Sequence, residues 1–145
     1  MRSRHRDRRG RGIRGPLAPP DVPVTRSRSE LFDELVVDAI ERLQSRWPDE
    51  LRNVELAVEE VPPGGTVDLR ERGVPLGDSV PATAGGPARI IIYRRPVEAR
   101  ARDARARGAL VHDVVVEQVA KLLRLPPDEV DPEYGIDRLD GDDSL

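Results

Sequence analysis

The sequence predicts an α+β domain, a small mixed sheet packed against about three helices. Three observations carry this prediction. Phe32, Val36, Ala39 (with Ile40), Leu43 and Trp47 recur at three- and four-residue intervals, which gives a helix with one apolar stripe. Val54, Leu56 and Val58 alternate with polar residues, the period of a strand with one face on the core. RIIIY, Arg89–Tyr93, is β-branched and nearly continuous, as in a strand buried on both faces. The predicted order is helix, strand, loop with short strands, strand, helix, helix.

The first helix is expected from about residue 29 to 46. Ser27 and Glu30 stand at capping-box spacing, Ser29 is an equally good N-cap, and Pro48 ends the element. The first strand is expected over residues 54–61, closed by the turn Pro62-Pro63-Gly64-Gly65. Residues 66–87 are rich in Gly and Pro, with short strands expected near 74–76 and at Val80. Pro96 fits the first position of a helix over roughly 97–107, and Gly108 separates that helix from a last one over 108–125.

A chain of 145 residues has room for one modest core. With 37% apolar but only 3% aromatic residues, that core must be aliphatic. The 35% charged fraction, 14 Pro and 12 Gly point to long solvated stretches around it. Net charge is −3 but unevenly spread: residues 1–14 hold seven Arg against one Asp, and 128–145 hold eight acids against one Arg. The expected organisation is a disordered basic Arg/Gly/Pro-rich tail over 1–28, a domain over 29–135, and an acidic tail over 136–145. The terminal acids lack the spacing of a calcium loop. No apolar run approaches a membrane span, so no membrane partner is expected. No apolar stretch follows Arg8-Arg9, which argues against a secretory or twin-arginine signal. The lack of Cys excludes disulfides and thiol chemistry, and the cytoplasm is the simplest location.

The stretch GALVHDVVVEQVAKLLRL, residues 108–125, is where chemistry is sought. A zinc site on one helix needs two His at i and i+4 with a Glu beside the first. The candidate pair here is Glu117 and Lys121, with Gln118 at the general-base position. On a helical projection Val111, Val115, Val116, Val119, Ala120, Leu122 and Leu123 share a broad apolar arc that includes His112. Asp113, Glu117, Lys121 and Arg124 fall opposite, and Gln118 lies near the other border of the arc. His112 reads either as a core histidine with hydrogen-bonded ring nitrogens, or as a metal ligand or general base. A motif begun at His112 reads HDVVV and lacks its second His, where Val116 stands. Asp113, Glu117 and Lys121 read as a solvated face with a Glu-to-Lys pair worth about 0.2–0.5 kcal/mol. The alternative, a carboxylate pair on a hard cation, is opposed by Lys121 and Arg124.

Several pieces in order resemble a known family. These are Arg46-Trp47-Pro48 after the first helix, VELAVEEVP, Pro75-Leu76-Gly77, PARIIIYRRPVE and VVVEQVAKLLRLPPDEVDPEYG. Over residues 32–134 the chain resembles the small zincin-like metallopeptidases common in actinobacteria, the minimal zincin domains, and more closely a divergent branch lacking HExxH. The resemblance implies a minimal zincin-like fold and a HExxHxxGxxD site in which two His and an Asp bind zinc and the Glu activates a water. It sets Glu117 at the first His, Gln118 at the catalytic Glu, Lys121 at the second His, Arg124 at the Gly and Pro127 at the third ligand. All five depart from the pattern. Gln cannot deprotonate a water, an ammonium is no zinc donor, and Pro has no side-chain donor.

No cofactor is therefore expected, and a Glu117–Lys121 ion pair is expected in the place of zinc. The leading reading is a degenerate, non-catalytic member acting as an interaction or structural domain with a peptide or protein partner, because edge-strand pairing needs only backbone groups. Two alternatives stand beside it. One is an active zinc-dependent hydrolase with an unorthodox site around His112, Asp113 and Glu117. The other is a small nucleic-acid-associated regulatory protein. Its basic N-terminus would make weak, non-specific phosphate contacts, without interleaved aromatics to stack on bases.

Overall fold

A computed structural model of the chain describes residues 27–64 and 73–136. The first helix, α1 (Arg28–Arg46), starts one residue before the expected position, and Ser27 rather than Ser29 caps it. The capping box is complete: Ser27 Oγ accepts from Glu30 N at 3.1 Å, and Glu30 Oε1 accepts from Ser27 N at 3.0 Å. Ser27 and Arg28 thus belong to the fold and not to the tail. Residues 1–26 and 137–145, where the remaining tail expectations fall, lie outside the described residues. The stripe Phe32, Val36, Ala39, Ile40 and Leu43 is buried, and Trp47 N donates to Leu43 O at 2.8 Å to close the last turn.

The sheet is mixed and three-stranded, in the order β1-β3-β2. Strand β1 (Glu55–Glu59) runs parallel to β3 (Arg89–Tyr93), with Leu56 opposite Ile90 and Val58 opposite Ile92. Strand β2 (Gly77–Val80) is antiparallel to β3, with Asp78 opposite Ile91. The β-branched run occupies the central strand, where both faces are covered. Leu56, Val58, Ile90 and Ile92 join the main core with the helices, while Ala57, Ile91 and Tyr93 form a second cluster. The expectation that β1 buries only one face is therefore corrected: Ala57 is buried as well.

Four helices are present among the described residues. Helix α2 (Arg94–Arg100) leaves β3 directly and accommodates Pro96 in its first turn, where a missing N–H costs nothing. At this junction Arg94 Nε donates to Glu60 Oε2 at 3.0 Å and its Nη1 to Glu98 Oε1 at 2.6 Å, pinning the end of β1 to α2. Helix α3 (Ala104–Leu123) then runs unbroken through Gly108. The expected separation at Gly108 is a misreading. The boundary lies at Asp103, whose Oδ1 accepts from Ala106 N at 2.8 Å as the N-cap. Gly inside a helix costs about 1 kcal/mol relative to Ala, which a packed 20-residue helix absorbs. Helix α3 is the hub: Val111, Val114, Val115, Val116 and Val119 are fully enclosed between the sheet and α1. Arg124 ends it in the left-handed conformation (φ 59°, ψ 45°), and a single turn, α4 (Pro127–Val130), follows.

Candidate functional site

The polar residues of α3 are enclosed by two different neighbours. On the sheet side Gln118 is buried against β2. A Cβ on Gly77 would stand 3.2 Å from Gln118 Cγ, 3.1 Å from Val114 Cγ1 and 2.9 Å from the Ile91 carbonyl oxygen. Only a residue without a side chain lets β2 approach the helix this closely. Gln118 Oε1 is buried with no hydrogen-bond partner among the described residues.

On the other side, residues 131–136 return across α3. Asp131 is wholly buried and takes four contacts. Its carboxylate accepts from Arg42 Nε at 2.7 Å, Arg42 Nη2 at 3.1 Å and Glu133 N at 3.0 Å, and lies 3.0 Å from His112 Nε2. Val130 O accepts from Trp47 Nε1 at 3.0 Å and Arg46 Nε at 3.2 Å. Gly135 N donates to Asp113 Oδ1 at 3.1 Å, and Tyr134 Oη donates to Glu117 Oε2. The C-terminal segment is thus stitched to both α1 and α3.

The electrostatics follow from this geometry. The bidentate Arg42 guanidinium, with help from Glu133 N and His112, holds Asp131 far below the usual carboxylate range despite burial. Arg42 is raised in turn, chiefly by Asp131. His112 Nδ1 lies 3.4 Å from Asp113 Oδ1. Asp113 first, and Asp131 with it, push the imidazole above its ordinary value, while burial opposes them.

Each residue expected from the sequence can now be placed. His112 is half-buried between two carboxylates. Asp113, expected on a solvated face, is 4% exposed, because residues 131–136 cover that face. Glu117 is half-buried and bound to Tyr134, while Lys121 is exposed. The Tyr134 phenol donates to the Glu117 carboxylate for which Lys121 was the expected partner. Sequence reasoning missed Arg42, Asp131 and Tyr134 as partners of this helix. A buried aspartate bonded 89 positions upstream leaves no local signature. The nearest hint is Asp131-Pro132 after an apolar Val130, which marks a helix stop and nothing more.

The description of a family model as zincin-like metallopeptidase matches residues 51–136, more than half of the chain. The chain belongs to the zincin-like metallopeptidase family. The match starts after α1 and runs to the end of the segment that covers α3. Comparison with curated proteins gives no match. Among the described residues no helix is long and apolar enough to cross a membrane.

Family membership implies zinc, and the side chains present do not fit it. At the positions that the resemblance sets against the motif stand a carboxylate bonded to Tyr134, a buried carboxamide, an exposed ammonium and a proline. No three His, Cys, Asp or Glu side chains converge as a metal-binding group among the described residues. Arg124, which the resemblance sets at the motif's glycine, is the one non-glycine residue with positive φ among those described.

Proposed function

We propose that this chain is a non-catalytic member of its family, serving as an interaction or structural domain. One observation carries the reading. The helix face that would hold zinc is spent on fold-building contacts, Glu117 with Tyr134 and Asp113 with Gly135. A carboxamide at Gln118 offers no base to activate water. The partner class that suits the fold is an extended peptide or protein segment paired with the outer edge of β2, since β3 covers only one of its edges. A chain without cysteine suits the cytoplasm. The Arg residues before α1 would add weak, salt-sensitive contact with nucleic acid.

The test is elemental analysis of the purified protein together with a general protease assay. The expected result is less than stoichiometric zinc and no cleavage suppressed by chelator. One tightly held zinc per chain with chelator-sensitive proteolysis would overturn the reading.

A further inference from the structure

His112 does no work in the function proposed above, yet it is placed at the centre of the polar cluster. Nε2 lies 3.0 Å from Asp131 Oδ2 and Nδ1 lies 3.4 Å from Asp113 Oδ1. Both carboxylates are buried, with side chains 0% and 5% exposed, while the imidazole side chain keeps 23% exposure. A proton can therefore reach the ring without unfolding the domain.

We propose that residues 131–136 form a proton-gated strap on α3, closed while His112 is an imidazolium and loosened when it loses its proton. An imidazolium donates from both nitrogens and satisfies both carboxylates. A neutral ring has one N–H and must turn a lone pair towards one of them. Asp131 keeps Arg42 and Glu133 N whatever His112 does, and the Nε2–H tautomer still serves it. The lone pair therefore faces Asp113. A buried carboxylate against a nitrogen lone pair is unfavourable, and Asp113 is the acceptor for Gly135 N. That contact yields, and Tyr134, next in the chain, is drawn from Glu117.

Among the described residues the charged groups around the ring are few. Helix α3 contributes Asp113, the strap contributes Asp131 and Glu133, and α1 contributes Arg42, which is already paired with both strap acids. The carboxylates raise the imidazole above its ordinary value, Asp113 foremost. The strap is accordingly closed below about pH 6.5, the value for a free imidazole, and opens as pH rises through the higher folded value. This inference does not depend on whether the domain cleaves anything.

The test follows the full-length chain by NMR from pH 5 to 9, reading the His112 ring titration and protection of the Gly135 amide. The expected His112 midpoint lies above 6.5. Gly135 protection, corrected for intrinsic exchange, should fall across that midpoint by about tenfold for every pH unit by which it exceeds 6.5. Trp47, the single tryptophan, bonds to Val130 O and supplies a fluorescence readout of the root of the strap. In Asp113→Asn the oxygen that accepts from Gly135 no longer carries the charge that faces the ring, so the change in protection across the titration should shrink. His112→Gln should abolish the transition; if that variant fails to fold, the wild-type and Asp113→Asn measurements decide. A His112 midpoint at or below 6.5, or Gly135 protection flat through the titration, would overturn the proposal. So would a transition of undiminished size in Asp113→Asn.

Discussion

Arg124 and Asp131 show how much a single position can owe to its surroundings. Arg124 puts a side chain where φ is 59°, a conformation that costs an L-residue about 1–2 kcal/mol. Glycine has no such cost but loses more chain entropy on folding. Arg124→Gly should raise the unfolding free energy by about 0.5–1 kcal/mol, measured by urea denaturation. Asp131 is the opposite case, a buried charge fully engaged by its partners. Asp131→Asn should cost about 2–3 kcal/mol at neutral pH, since it removes the buried anion that Arg42 and His112 share and leaves them only Glu133 and Asp113. A carboxylate with a lowered pKa contributes stability above its ordinary value near 4 and loses it as pH falls towards the folded value. Urea midpoints of wild type and Asp131→Asn should therefore converge in acid. Neither role could be read from the sequence alone. Arg124 looks like any basic residue near a helix end, and Asp131 looks like one more acid in an acidic stretch.

At the level of elements the legible features were those set by neighbours in sequence. The capping box at Ser27 and Glu30, the stripe of α1 and the run Arg89–Tyr93 all depend on short-range periodicity, and all are found as expected. The misreadings arise where distant chain decides. Gly108 read as a boundary because glycine disfavours helix, but packing of α3 on the sheet and α1 overrides a penalty of about 1 kcal/mol. Asp113 read as solvated because a helical projection shows one helix and not the segment that returns over it. Gly77 is the clearest element-scale constraint. Gly77→Val would drive a side chain into Ile91 O, Val114 and Gln118, parting β2 from α3. The expected loss is about 2–3 kcal/mol, read as a lower urea midpoint. Ile92→Ala, at the heart of the central strand, should cost about 2–5 kcal/mol in the same assay.

Across the whole molecule, two ionisations bracket the range of greatest stability. Asp131, with its lowered pKa, supports the fold at pH above about 4; His112, with its raised pKa, supports it fully below about 6.5. Both act together only between these values. Urea unfolding at pH 5.5 should give a larger free energy than at pH 3 or pH 8.5, and His112→Gln should flatten the alkaline side alone. The fold class was legible because order and periodicity do not depend on functional chemistry. The candidate site was legible in part: Glu117, Gln118, Lys121 and His112 could be singled out from the sequence, but the contacts of Glu117 with Tyr134 and of His112 with Asp131 could not.

The tie between Arg42 and Asp131, 89 positions apart, bears on how this protein is made. A ribosome delivers α1 well before its anion. While synthesis is under way, the nascent helix exposes its guanidinium and indole without their final acceptors. Assembly is completed only after the closing turn clears the exit tunnel. A nonsense codon between positions 94 and 130 would release a product that has every strand but no clasp.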